Sequence, residues 1–306
     1  MLQTGSVLIL GSQGFIGSNL AAHFVSKRYA VTGCDLVEFS TAKYEYHKLS
    51  VLAADFDELF AAKQFSFCIN AAGSGNVGYS VQHPFSDFEA NTYVVAKVLD
   101  SIRKYQPACK YVHISSAAVY GNPVSLPVKE DTKPAPLSPY GFNKLMSEQL
   151  CTEYHLLYHI PVAVVRPFSV YGNGLKKQLI WDICSRLTMA DTIELFGTGN
   201  ESRDFIHVDD LALLIGLIIE QDNFSNNIYN AASGTETSVK TIAAIFEKHF
   251  AAGKQILFSK KIKTGDPVNW QADMTKAQSI GFTNQRPLEA SLIDYIKWFK
   301  TTTGEQ

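Results

Sequence analysis

The sequence lacks several features that would assign it to other classes of protein. Its five cysteines are odd in number, widely spaced and without a C-x-x-C pair, which favours buried free thiols in a reducing compartment. No spacing of ligand residues typical of a metal site occurs. The longest apolar stretch, residues 211–219, is far short of the ~20 residues of a membrane span. No leader segment is apparent before the first strand pattern, so we expect a cytoplasmic protein without a membrane partner.

The sequence also has no surplus of positive charge. It contains 27 Lys and Arg against 29 Asp and Glu, a formal net charge of −2. A nucleic-acid-binding protein neutralises phosphates with a basic surface, so this balance argues against such a partner. With 306 residues, 46% of them hydrophobic, the chain is long enough for one large α/β domain or for a domain with a smaller lobe.

Strand and helix patterns alternate along the first half of the chain. Short β-branched runs predict strands at 6–10, 29–35, 45–51, 65–72, 110–115 and 161–168. Between them lie amphipathic segments, including a helix from about 85 to 105 and another that Ser138 and Pro139 open and that runs to about 158. This rhythm predicts right-handed crossovers and a doubly wound parallel sheet.

The rhythm loosens after about residue 168. We predict a first domain of residues 1–168 together with about 205–225, which carry a strand and a helix that could return to the sheet. Residues of about 169–204 and 226–306 then form a smaller mixed α/β lobe that binds the substrate.

A glycine-rich turn follows the first strand. The segment GSQGFIGSN places Gly11, Gly14 and Gly17 between a strand and a helix, where backbone N–H groups and the helix dipole can bind a pyrophosphate. Asp35 ends the second strand, at the distance expected for a carboxylate that hydrogen-bonds ribose hydroxyls. These features predict a Rossmann-type fold. Because Asp35 would repel a 2′-phosphate, we expect NAD rather than NADP.

The spacing Tyr-x-x-x-Lys, which can form a proton-transfer couple, occurs three times: Tyr44–Lys48, Tyr93–Lys97 and Tyr140–Lys144. A catalytic tyrosine needs its pKa, ~10 in peptides, brought toward neutrality, which a lysine on the same helix face and a cationic nicotinamide can do. Only the third pair opens a helix that follows the fifth strand, near the edge where α/β sheets bind ligands. The strand before it ends in Ser115 and Ser116, whose hydroxyls could hold a substrate oxygen. We therefore favour Tyr140–Lys144.

Taken together, GSQGFIGSN, Asp35, HISSAAVYG, SPYGFNK and RPFSVYGNG resemble the extended short-chain dehydrogenase/reductases, in particular their nucleotide-sugar epimerase/dehydratase branch. The resemblance implies a catalytic triad of Ser116, Tyr140 and Lys144, with Tyr140 as the base and Lys144 also holding the nicotinamide ribose. It implies that NAD contacts Gly11, Gly14, Phe15, Ile16, Gly17, Asp35, Ala71, Ala72, Asn91, Tyr140 and Lys144. A homodimer built on the helices that start near Phe85 and Tyr140 is implied in the same way.

Members of this branch share an oxidation at the sugar C4 and differ in their later steps. The 4,6-dehydratases carry Asp-Glu directly after the catalytic hydroxyl residue, where this chain has Ala117 and Ala118, which cannot transfer protons. A 4-epimerase is therefore favoured, with a 4-ketoreductase that consumes NAD(P)H as the alternative. A third possibility is a non-enzymatic NAD-binding sensor or scaffold, although such relatives typically lose the tyrosine or lysine that this chain keeps.

The second lobe is expected to bind the nucleoside diphosphate of a nucleotide sugar. Arg203 matches the family's phosphate-binding arginine, and Lys176 and Lys177 could assist it. Lys263 replaces an arginine that many relatives carry, and Ser169 replaces an asparagine. The resemblance implies that Ser80 also contacts the substrate, and Ser115 and Ser116 are further candidates because they end the fifth strand. The predicted substrate contacts are Ser80, Ser115, Ser116, Ser169, Lys176, Lys177, Arg203 and Lys263. Which sugar and which nucleotide bind is left open.

Overall fold

A computed structural model of the protein describes residues 5–38, 43–49, 56–261 and 268–304. One predicted substrate contact, Lys263, falls outside these ranges. Among the described helices, none combines the length and the apolar composition of a membrane span.

The described ranges contain strands in three sheets. In chain order the strands are β1 (Ser6–Leu10), β2 (Ala30–Asp35), β3 (Glu45–Lys48), β4 (Phe67–Asn70), β5 (Lys110–Ile114), β6 (Val162–Pro167), β7 (Ser169–Tyr171), β8 (Thr192–Leu195), β9 (Ser202–His207), β10 (Ser225–Ala231), β11 (Glu236–Ser238) and β12 (Gln255–Phe258).

The helices fall between these strands. They are α1 (Phe15–Ser26), α2 (Phe56–Ala62), α3 (Val77–Gln82), α4 (Pro84–Phe88), α5 (Val94–Tyr105), α6 (Pro139–Tyr158), α7 (Gln178–Met189), α8 (Val208–Gln221), α9 (Val239–His249), α10 (Thr275–Ser279) and α11 (Leu288–Thr303). A short 3₁₀ helix, Ala117–Tyr120, follows β5.

The main sheet has seven strands in the order β10-β6-β5-β4-β1-β2-β3, all parallel. The six strands predicted in the first 168 residues are its first six in chain order, so the prediction of a doubly wound parallel sheet is confirmed. The strand order reverses at β1, which lies between β2 and β4. Open α/β sheets bind ligands at the carboxyl ends of the strands at such a switch point.

The sheet is buried on both faces because its strands are apolar on both sides. Val7 and Ile9 of β1 pack with α1 and α8, whereas Leu8 and Leu10 pack with α2, α5 and α6. A third hydrophobic cluster lies in the smaller lobe, where α7, α9 and α11 pack against the two-stranded sheet β12-β8 and the three-stranded sheet β11-β9-β7.

Two details of the predicted domain boundaries need correction. The strand β10 was assigned to the lobe from residue 226 but pairs with β6 in the main sheet. The strand β9, expected to return to the main sheet, instead pairs with β7 and β11. Strand partners lie far apart in sequence, so periodicity predicts the β9 segment as a strand without assigning its sheet. The β10 segment is not predicted as a strand from the sequence. The division into two domains itself stays a prediction.

The long helix predicted from about 85 to 105 is not uniform. It is interrupted between α4 and α5 by one π-helical segment, Glu89–Tyr93. A π-segment widens a helix by one residue per turn and is frequently found at functional sites. It carries Asn91, one of the predicted cofactor contacts.

Candidate active site

The glycine turn forms the tight strand-to-helix connection that its sequence predicts. Gly11 has φ +75°, and a Cβ on Gly17 would lie only 2.0 Å from the Gly11 carbonyl oxygen. Gly14 is the N-cap of α1 and contributes no side-chain cap to the first turn. The turn therefore leaves backbone N–H groups at a helix N-terminus, which suits a pyrophosphate.

Residues from neighbouring strands surround this turn. Asp35 accepts hydrogen bonds from the backbone N–H groups of Gln13 (2.9 Å) and Leu36 (2.7 Å), so its carboxylate is held at the end of β2. Ala71 and Ala72 follow β4, and their backbone atoms would lie within 2.8 Å of a Cβ on Gly11. The structure thus brings together three of the predicted cofactor segments.

Two further residues of the turn face different parts of the protein. Ile16 packs against the cluster beneath α1 and α8. Phe15 packs against the cluster of the smaller lobe, with its ring 3.6 Å from a Cβ position on Gly174. The turn is therefore in contact with both parts of the protein.

Tyr140 lies in the first turn of α6, beside the end of β5. Ser138 is the N-cap, and its Oγ accepts from the N–H of Gly141 (3.2 Å). A Cβ on Gly141 would lie 2.8 Å from the carbonyl oxygen of Ala118, so glycine is needed for this close approach. Ser116 caps the 3₁₀ helix by accepting from the N–H of Ala118 (3.1 Å), and its side chain acts to lower the pKa of Tyr140.

Lys144 lies one turn further along α6. Its Nζ donates to the carbonyl oxygen of Ile114 (3.0 Å) and lies 6.0 Å from the centre of the Tyr140 ring. Both side chains are at least nine-tenths buried. The three residues of the predicted triad are therefore adjacent at the carboxyl end of the parallel sheet.

Burial controls the titration of this pair. It raises the pKa of Tyr140 to about 12, with the Ser116 hydrogen bond acting in the lowering direction and Asp87 in the raising direction. It lowers the pKa of Lys144 to about 8, against the raising effects of Asp87 and Glu148. The fall of the tyrosine pKa predicted from the Tyr–Lys spacing is thus not provided by protein groups alone, because desolvation of the phenolate outweighs the Ser116 hydrogen bond.

The other two Tyr-x-x-x-Lys pairs have different surroundings. The hydroxyl of Tyr44 accepts from Gln13 Nε2 (3.0 Å), and Lys48 forms an ion pair with Glu38. Tyr93 is 44% exposed, and Lys97 Nζ lies 6.0 Å from the centre of its ring. The first pair lies before and within β3, and the second spans the π-segment and α5.

Two predicted substrate contacts have other partners. The Ser115 hydroxyl donates to Glu148 Oε1 (2.5 Å), which also binds Arg166. Ser80 is fully buried; its hydroxyl donates to the Val77 carbonyl (2.7 Å) and accepts from the N–H of Tyr140 (3.2 Å). Ser115 thus joins β5 to α6, and Ser80 supports the start of α6, while their roles as substrate contacts stay predictions.

The other substrate candidates lie on the smaller lobe. Ser169 and Arg203 are on the adjacent strands β7 and β9, and the Arg203 guanidinium lies 5.8 Å from the centre of the Trp270 ring. Lys176 and Lys177 are exposed next to α7. The Nζ of Lys177 is 3.9 Å from a Cβ position on Gly75, so this lysine lies beside the loop that follows β4.

Comparison with known proteins identifies the family. Residues 7–232 match the model of the NAD-dependent epimerase/dehydratase family. The chain belongs to this family. The prediction from the sequence motifs is confirmed, and with it the prediction of an NAD-dependent enzyme.

Relatives of the epimerase/dehydratase family match this chain over nearly its whole length. A protein of Methanocaldococcus jannaschii is 29% identical over 96% of this chain and 98% of its own length. The UDP-glucose 4-epimerase of Bacillus subtilis is 27% identical over 96% of both chains. The structure of UDP-glucuronic acid 4-epimerase from Bacillus cereus, in complex with UDP-glucuronic acid and NAD, superposes with a TM-score of 0.87 at 27% identity, covering 96% of this chain and 99% of that one.

Three features of this chain's own residues bear on whether it can bind NAD. The glycine turn is too close-packed for side chains, Asp35 is fixed at the end of β2, and the side-chain oxygen of Asn91 is buried without a hydrogen-bond partner among the described residues. All three features suit a dinucleotide.

One buried residue of this site was not predicted from the sequence. Asp87 of α4 accepts hydrogen bonds from Asn91 Nδ2 (3.0 Å) and from Asn143 Nδ2 (2.7 Å). Its spacing of four residues from Asn91 was the available signal, but a carboxylate in an amphipathic helix is more often at the surface.

Proposed function

We propose that the protein is a nucleotide-sugar 4-epimerase with Tyr140 as its general base. The observation that carries this proposal is the grouping of Ser116, Tyr140 and Lys144 beside the glycine turn. Two of the relatives with 27% identity are a UDP-glucose 4-epimerase and a UDP-glucuronic acid 4-epimerase. We therefore propose UDP-hexoses as the first substrates to test.

The protein groups have separate roles in the proposed reaction. Tyr140 takes the proton of the C4 hydroxyl and later returns a proton to the C4 oxygen, so that no net proton is consumed. Ser116 holds the Tyr140 hydroxyl, and the Lys144 ammonium stabilises the phenolate. NAD, when bound, supplies the hydride acceptor and donor and a cationic ring that favours the phenolate. The glycine turn, Asp35, Ala71, Ala72 and Asn91 would hold it.

The residues after Ser116 argue against a dehydratase. Ala117 and Ala118 form the start of the 3₁₀ helix where 4,6-dehydratases have an acid pair. Neither methyl group can donate or accept the protons that water elimination requires.

We propose that Arg203 binds the diphosphate, assisted by Lys176, Lys177 and Ser169. A guanidinium suits bidentate contact with phosphate oxygens. The position of Lys177 beside the loop after β4 supports this, because it places a positive charge between the smaller lobe and the cofactor edge.

We also propose a homodimer. The outer face of α5 and α6 carries a groove lined by apolar residues, including Phe88, Tyr93 and Met146. Exposed aromatic rings at Phe85 and Phe142 extend this face. Contiguous apolar surface of this kind marks protein–protein contacts.

The function can be tested with a panel of UDP-, dTDP-, CDP- and GDP-sugars, measuring C4 inversion by NMR. Inversion without added cofactor is the expected result. Activity only on a 4-keto sugar with NADPH would instead identify a ketoreductase. Bound NAD without turnover on any sugar would favour the sensor.

A further inference from the structure

Asp87 is a buried carboxylate for which the proposed reaction names no role. It is fully buried, and its two oxygens each accept from the amide of an asparagine, Asn91 on the π-segment and Asn143 on α6. An ionised carboxylate offers only acceptors, so each amide must turn its NH₂ group toward it. The orientations of the two amides are therefore determined by Asp87.

The orientation of Asn91 directs its oxygen to the cofactor edge. With Nδ2 on Asp87, Oδ1 points at Gly73, where a Cβ would lie only 2.5 Å away. The Asn91 backbone is held as well, because its carbonyl accepts from Ser147 Oγ (2.5 Å). Gly73 follows Ala71 and Ala72, which pack on the glycine turn.

Asn91 Oδ1 is buried and has no partner among the described residues. A buried acceptor without a donor is costly, and such groups in native proteins usually have a specific explanation. The chemistry that fits is a donor on a bound ligand, such as a ribose hydroxyl or a carboxamide of a dinucleotide.

Asp87 also lies near the catalytic pair, because it accepts from Asn143, the residue before Lys144 on α6. Its negative charge acts on both Tyr140 and Lys144. The other groups facing Tyr140 are Ser116 from the 3₁₀ helix and Lys144 on its own helix. Lys144 additionally faces three groups, Glu148 and Cys151 on its own helix and His113 on β5.

Glu148 differs from Asp87 in having a cationic partner. Arg166 Nη2 lies 2.6 Å from Glu148 Oε2, and both side chains are buried. Among the described residues, the Asp87 side chain accepts its two hydrogen bonds from neutral amides. The negative charge of Asp87 is therefore neutralised less by its partners than that of Glu148. More of it acts on Lys144 and Tyr140.

We propose that Asp87 is a positioning residue of the active site. It orients the Asn91 amide oxygen toward the bound dinucleotide and keeps a negative charge beside the Tyr140–Lys144 pair. The first role depends only on the NAD-dependent family, whereas the second rests on the proposed function.

The orientation role is tested by Asp87→Leu, which removes both acceptors. We expect NAD affinity, measured by titration without substrate, to fall by about tenfold, the effect of losing one buried hydrogen bond. Asp57→Asn is the control, because Asp57 binds Ser101 on α5 and belongs to no part of the site. If Asp87→Leu does not fold, Asn91→Ala replaces it with the same expectation. If the variant that folds binds NAD with wild-type affinity, the orientation role is overturned.

The charge role is tested by Asp87→Asn. The Asn143 amide can turn to give its oxygen to the new N–H, so Asn91 keeps its partner and NAD affinity stays within about threefold. Removing a negative charge favours the deprotonated forms of both Tyr140 and Lys144. We therefore expect both limbs of the pH–rate profile to move to lower pH by about 0.5 to 1 unit.

The double variant Asp87→Asn/Asn143→Asp is the matched rescue. It restores one carboxylate and both hydrogen bonds, so the pH limbs should return toward wild type. A purely structural role would lower thermal stability without moving the limbs, and unmoved limbs in Asp87→Asn overturn the charge role. If wild-type protein shows no epimerisation, the proposed function fails, while the NAD titrations still decide the orientation role.

Discussion

At the scale of single residues, a tyrosine hydroxyl becomes a base only where its phenolate is stabilised. Burial alone opposes this, and it raises the pKa of Tyr140 to about 12. The Ser116 hydrogen bond acts in the other direction. Tyr93 has a lysine at the same spacing but is 44% exposed on the outer face of its helix. The identity of the neighbours therefore distinguishes Tyr140.

We predict that Tyr140→Phe keeps NAD affinity but reduces turnover by ~10²-fold or more, because it removes the general base and leaves the ring in place. Single-turnover assays and NAD titration measure the two effects separately. Tyr93→Phe makes the same chemical change in another Tyr-x-x-x-Lys pair and should leave turnover unchanged. Retained turnover in Tyr140→Phe would refute the assignment of the base.

At the scale of elements, the start of α6 determines where Tyr140 lies. Ser138 caps the helix through the N–H of Gly141, and Ser80 of α3 binds the N–H of Tyr140 itself. The first turn of every helix leaves N–H groups without intrahelical partners. Here the two serine hydroxyls accept from two of these groups. The helix terminus thus fixes the position of Tyr140, the proposed base.

The cap can be separated from the chemistry by comparing two serines. Ser138→Ala and Ser238→Ala each remove an N-cap, the second at the start of α9. Each should lower the free energy of unfolding by ~1 kcal/mol. Only Ser138→Ala should also reduce turnover, by roughly threefold to tenfold, because it loosens the turn that carries Tyr140. Equal turnover in both variants would contradict this role of α6.

At the scale of the whole molecule, burial determines how reactive the cysteines are, and the exposed apolar surface bears on assembly. All five cysteines are buried and free, and burial raises the pKa of Cys34 and Cys184 to about 12, which makes them unreactive. The cytoplasmic location stays a prediction. The outer face of α4, α5 and α6 is instead apolar and exposed, which is the basis of the proposed homodimer.

We predict that Phe85→Glu combined with Tyr93→Glu converts the protein to a monomer, because two charges would be buried at the proposed interface. Sedimentation velocity measures the change. Met189→Glu, at an exposed apolar position on α7, is the control and should leave the dimer intact. A wild-type protein that sediments as a monomer at micromolar concentration would exclude the interface.

The local signals of the sequence determined much of the fold and the centre of the site. The glycine turn, Asp35 at a strand end, and the Ser138–Pro139 start of α6 depend on residues close together in the chain. Such patterns act through backbone geometry, capping and side-chain period, which are local. They placed Tyr140 and Lys144 on one helix face, and the family resemblance supplied Ser116.

Only the tertiary structure decided the partners of buried polar groups. Ser115 bonds a carboxylate 33 residues away, and Asn143 bonds Asp87 56 residues away. The sheet that receives β10 is likewise set by pairing with β6, more than sixty residues earlier. The physical reason is that a buried donor or acceptor must find a partner wherever packing brings one, irrespective of sequence distance. The role of Asp87 could therefore not be derived from the sequence, although its position four residues before Asn91 was visible there.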